Sequence, residues 1–151
     1  MFVLARKFMV SQTLRRWRDR GAAAVEFALI VPVLITLIFG SIEFGLYFQA
    51  RTMVQNSARE GVRMASLVAG ADGSVALQEV KDAALHALSN LPGIGASPTV
   101  DVTCAPAPCV IGSATRGSVA TVTVTVQWNG VTGMFLKATP FTATSQMRIE
   151  G

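Results

Sequence analysis

The sequence predicts an α+β protein: a long N-terminal transmembrane helix continuing into a small domain with a second helix and about three antiparallel strands. Three observations lead there. Residues 25–47 read VEFALIVPVLITLIFGSIEFGLY, and as a helix this block measures roughly 34 Å against a hydrocarbon core of about 30 Å. Beyond it, apolar residues recur at helical spacing as far as Val68. In the last third the period drops from the helical value to two.

A chain of 151 residues suits one small domain and not two. Its 51% apolar and 15% charged residues depart from an ordinary soluble domain, and the excess lies between Ala22 and Phe48, as a membrane segment requires. The net charge of +4 resembles a nucleic-acid signal only until it is located. Residues 1–20 hold Arg6, Lys7, Arg15, Arg16, Arg18 and Arg20 against Asp19, while the remainder has seven basic against eight acidic residues. The basicity belongs to a leader, so a nucleic-acid partner is not expected. The same cluster predicts a cytoplasmic N-terminus and an extracytoplasmic C-terminal domain. With one histidine, no Gly-rich phosphate loop and no metal-ligand spacing, the inventory argues against an enzyme, a cofactor or a small-molecule substrate.

Taken in order, the helix meets Pro32, which deprives the Ala28 carbonyl of its usual donor and predicts a kink or a local loosening. Glu43 follows Phe27 by about 24 Å of helix and is expected near the outer headgroups as an interfacial acid. Gly40 and Gly45 flank it, too far apart for a GxxxG contact. Tyr47, Val54, Ala58, Val62, Ala65 and Val68 then share a face, with Arg51, Gln55, Arg59 and Arg63 largely elsewhere. Glu60 stands three residues before Arg63, the spacing of a local ion pair. Gly70-Ala71-Asp72-Gly73 ends this helix, and Ser74 is expected to cap a second over residues 75–89, with Leu77, Val80, Ala84 and Leu88 on one side. His86, alone among alanines, is expected at the surface. Asn90-Leu91-Pro92-Gly93 stops the second helix.

Val100, Val102 and Cys104 alternate in a first strand. Ala120, Val122, Val124, Val126 and Trp128 alternate with Thr121, Thr123, Thr125 and Gln127 in a second, and Phe141 to Ile149 form a third. The threonine-rich second strand is expected at a sheet edge, open to strand addition. Cys104 and Cys109 bracket a Pro-rich loop. Outside the cytosol a small disulfide is expected, and without further ligands they make a poor zinc site.

The most specific feature is Arg20-Gly21-Ala22-Ala23-Ala24-Val25-Glu26-Phe27. A carboxylate beside lipid is costly and calls for a partner. A cut after Gly21 would create one, because the new α-amino group on Ala22 stands four positions before Glu26 and is equally available to a neighbouring chain. The leader ending in glycine, the Glu26-Phe27 pair and the apolar helix resemble a class III signal of the type IV pilin superfamily. More narrowly, residues 21–43, with Glu26-Phe27, Pro32 and Glu43-Phe44-Gly45, resemble the TadE-like minor pseudopilins of the tight-adherence (Flp) pilus system. Ser57-Ala58-Arg59-Glu60-Gly61-Val62-Arg63 is similar to the block after that family's membrane helix, and Met147-Arg148-Ile149-Glu150 to its closing strand.

The resemblance implies a pilin-like fold and removal of residues 1–21 by a prepilin peptidase cutting between Gly21 and Ala22. It implies a retained transmembrane helix over residues 22–48 and an extracytoplasmic domain over residues 49–151. It further implies an assembly subunit in the inner membrane, acting through Glu26 and Phe27 with other pseudopilins and pilus-assembly proteins of the lipid bilayer. The rival expectation is a secreted or periplasmic binding domain released by ordinary signal peptidase near Gly40-Ser41. Against it, Glu26 and Pro32 interrupt the apolar region, and Phe39-Gly40-Ser41 lacks the A-x-A pattern.

Overall fold

A computed structural model describes residues 2–95, 97–106, 109–130 and 138–150, and of residues 2–20 only the backbone. The chain divides into two compact units, Met1–Ser41 and Ile42–Gly151. Helix α1, Phe2–Leu67, runs through both.

In the first unit, the large apolar side chains from Val25 to Phe39 are exposed by 43% to 70%, except the partly buried Val31. A helix apolar on every side needs an apolar solvent. Residues 22–41 measure about 30 Å as a helix, the thickness of a bilayer core. This is the one helix among the described residues that is long and apolar enough to cross a membrane, consistent with a single-pass protein. The helix continues through Pro32, and the Thr36 hydroxyl donates to the Pro32 carbonyl at 2.7 Å.

In the second unit α1 becomes one-sided. Glu43, Ala50, Val54, Ser57, Ala58, Val62, Ala65 and Val68 are buried, spaced by three, four or seven apart from the adjacent Ser57 and Ala58, which keeps one stripe inward. Arg51, Gln55, Arg59 and Arg63 are exposed. Helix α2, Gly73–His86, buries Ala76, Val80 and Ala84, with Leu88 just beyond. Its cap differs from the expectation. Asp72, not Ser74, is the N-cap, accepting from the Ser74 amide at 3.0 Å and hydroxyl at 2.6 Å, which satisfies an open amide of the first turn. The helix therefore starts two residues early. It also ends early, because Leu88, Ser89 and Leu91 bond three residues back in tightened turns.

Strands β1 (Thr99–Ala105), β2 (Val119–Trp128) and β3 (Thr139–Arg148) form an antiparallel sheet in the order β1-β2-β3. The most apolar strand is thus central, not an edge. Only the middle strand has neighbours on both sides, and its alternate residues Ala120, Val122, Val124, Val126 and Trp128 form the buried midline. The opposite face is a threonine ladder, in which Thr123 meets Thr144 at 3.1 Å and Thr125 meets Thr142 at 3.2 Å. A short 3-10 turn, Ile111–Ser113, carries Gly112, whose carbonyl accepts from the Gly70 amide at 2.7 Å, tying the turn after α1 to the loop before β2.

Candidate assembly surface

The residues expected to carry function fall into both units. Gly21, Ala22, Glu26 and Phe27 lie in the first, all exposed on consecutive turns of α1. A methyl group added at Gly21 would touch nothing. Ala22 and Glu26 are separated by about 6 Å of helix rise, so a cation at one and the carboxylate at the other share a face, each open to a second molecule.

Glu43 lies in the second unit and is not the exposed interfacial acid expected. It is fully buried, at the first position of the inward stripe that continues through Tyr47 and Ala50. Its flanking Phe44 and Phe48, 52% and 61% exposed, face away. Composition hides this, because an acid at the end of an apolar run reads as a boundary; only its phase with Tyr47, Ala50 and Val54 signals burial.

Above Glu43, Tyr47 packs edge-on against Trp128 and Phe141, with ring centroids 5.7 and 5.1 Å apart, and the Trp128 indole N–H donates to the Pro92 carbonyl at 2.9 Å. Rings from the helix, the end of β2 and the start of β3 therefore meet where the compact unit begins. The aromatic trio was invisible as a cluster in the sequence, since its members are spread over nearly a hundred positions.

The block from Ser57 to Arg63 divides by face. The buried Ser57 hydroxyl donates to the Ala84 carbonyl of α2 at 2.7 Å. A methyl group at Gly61 would stand 3.0 Å from Val122 Cγ1 and 3.2 Å from Ala84 Cβ, so glycine there allows helix α1 to approach both α2 and β2. Arg63 grips Glu60 at 2.7 Å. That hydrogen bond holds the Glu60 carboxyl below its ordinary value and raises the Arg63 guanidinium, but both are solvated, so the pair contributes little. Half of this block is thus a packing device, which its charged letters conceal.

Cys104 and Cys109 are joined, with Cα atoms 5.3 Å apart. His86 is exposed. Among the described residues no three of His, Cys, Asp and Glu are grouped to hold a metal ion.

Residues 21–63 match the family model of the TadE-like protein, a family associated with the tight-adherence pilus and typically structural in role. The match opens at Gly21 and closes at Arg63, taking in the exposed apolar helix and the Ser57–Arg63 block but none of the sheet. No curated protein and no solved structure matches the chain.

Proposed function

We propose that this chain is a minor pseudopilin, a structural subunit for assembly of a tight-adherence (Flp) pilus, matured by prepilin peptidase between Gly21 and Ala22. The observation that carries the reading is a coincidence of boundaries. The TadE-like match begins at Gly21, where the basic run ending in Arg20 gives way, within α1, to an apolar stretch of bilayer length whose large side chains are exposed.

In this reading the basic residues 1–20 stay in the cytoplasm, residues 22–48 remain in the membrane after the cut, and residues 49–151 face outward. Cleavage converts the Ala22 amide into an ammonium group. That cation and the Glu26 carboxylate of an adjoining subunit then neutralise each other in an apolar bundle, which fixes the axial register of one helix against the next. Phe27 supplies apolar contact beside the pair. Pro32 adds a point of bending, leaving the Ala28 carbonyl to a neighbouring helix or a local adjustment. No step of this role breaks a bond in a substrate, so the chain needs neither cofactor nor nucleophile.

Mass spectrometry of the membrane-extracted protein, from cells with and without prepilin peptidase, tests the proposal. An N-terminus at Ala22 that is lost with the peptidase is expected. A start near Ile42 would instead mark a domain released by ordinary signal peptidase, and an intact Met1 a plain signal anchor.

A further inference from the structure

Strand β3 leaves one edge of the sheet open among the described residues, and its phase can be read. Ile149, one step past the Val119–Arg148 pair, donates its N–H to the Ser118 carbonyl at 2.8 Å. Odd-numbered residues of β3 therefore bond inward to β2, and Thr142, Thr144, Gln146 and Arg148 turn their N–H and C=O groups outward. Pro140 fits the same phase, since its missing N–H would have faced away from the ladder.

Alongside that edge runs a groove. Two adjoining clefts of about 310 and 320 Å³ share Gln55, Thr142 and Ala143. One wall is β3, whose inward residues Ala143 and Ser145 are too small to fill the space beneath α1. The other is the α1 row Arg51, Gln55 and Arg59. No carboxylate lines either cleft, and no described carboxylate pairs with Arg51 or Arg59. The opposite edge, β1, is seven residues long and carries the acidic Asp101.

We propose that this groove receives an extended segment of another protein, added to β3 as a fourth strand, with two carboxylates four residues apart that face Arg51 and Arg59. The spacing follows from the two backbones. Arg51, Gln55 and Arg59 advance about 6 Å per step along the helix, and every second residue of a strand advances about 6.6 Å. Side chains i, i+2 and i+4 of the added strand therefore meet the three helix residues in turn, and flexible arginine stems absorb the small mismatch. The outward backbone groups of β3 supply affinity, and the arginine pair supplies selection. A second copy of this chain is a poor occupant, because none of its three strands carries more than one carboxylate. The inference goes beyond the proposed function and does not depend on how the N-terminus is processed.

The test replaces Gln55 with p-benzoylphenylalanine in the full-length protein in intact cells, irradiates them, and sequences the crosslinked peptide by mass spectrometry. A peptide of another protein with two acidic residues four apart is expected. Its yield should fall at least about tenfold in Arg51→Glu/Arg59→Glu and persist in Arg51→Lys/Arg59→Lys. It should also fall at least about fivefold in Thr144→Pro, which deletes an outward N–H and no backbone bond to β2, and persist in Thr144→Val, which loses the same hydroxyl contact with Thr123 but keeps the N–H. Crosslinks only to lipid or to another copy of this chain, a partner lacking the acid pair, yields indifferent to these variants, or no product at all would each overturn the proposal.

Discussion

Two stretches of α1 follow opposite rules. Between residues 21 and 41 nearly all the large apolar side chains are exposed; between residues 42 and 67 a buried stripe runs along one side, while Phe44, Phe48 and the arginines Arg51, Arg59 and Arg63 lie exposed outside it. The acids show the contrast in miniature. Glu26 is exposed in the apolar stretch, while Glu43 is buried in the amphipathic one. A helix tells its surroundings through the arrangement of its apolar residues, not their number, because a bilayer contacts all faces alike and a folded domain contacts one.

The strongest test of the domain-facing half is Trp128→Ala. This fully buried ring joins Tyr47 and Phe141 and donates to Pro92, so its removal should destabilise the second unit by about 3–5 kcal/mol. Denaturant unfolding of the detergent-solubilised full chain, followed by near-UV circular dichroism, would read the loss.

Matched glycine substitutions sharpen the contrast directly. Gly61→Val places atoms against Val122 and Ala84 and should cost about 1–3 kcal/mol by overpacking. Gly40→Val meets open space, and the same unfolding curve should not move. Equal effects at the two sites would erase the distinction between the halves.

Ser57→Ala removes the buried hydroxyl that bonds the Ala84 carbonyl of α2 and should lower stability by about 1 kcal/mol. Ser41→Ala, whose hydroxyl bonds only its own helix at Leu37, serves as the comparison and should leave the domain unchanged.

A smaller effect is expected with pH. Hydrogen bonds from the Ser74 hydroxyl and the Ser74 and Val75 amides hold the Asp72 carboxyl below its ordinary value of 3.8. Its cap is therefore fully present above that value and is lost as pH falls through the lowered one. In an acid titration of the melting temperature, Asp72→Ala should flatten the decline below pH 3.8. Glu26→Ala should have no effect on domain unfolding and, under the proposed assembly role, should reduce recovery of the chain with other pilus subunits; unaltered recovery would remove Glu26 from that role.

Period and punctuation carried much of this architecture. The alternation of Val122, Val124 and Val126 with threonines marks β2 without reference to any neighbour, and the break at residues 70–73 separates α1 from α2. Legibility stopped where a choice depended on residues far away. Ser74 and Asp72 are both good caps by type, and only backbone geometry picks between them. An isolated strand has no left or right neighbour, so β2 read as an edge although it is the centre. The candidate groove was hidden for the same reason, since Arg51 and Arg59 are ordinary solvated charges until β3 is laid beside them.

By itself the sequence determined the α+β class, the apolar span, the basic stretch that precedes it and the Gly21 to Phe27 motif, because each is set by neighbours along the chain: hydropathy over consecutive residues, charge sign, turn chemistry. Tertiary structure alone decided strand order, the burial of Glu43, the approach of Gly61 to Val122 and the open edge of β3. Those depend on which distant surfaces meet, and local propensity has no term for a contact that only chain folding creates.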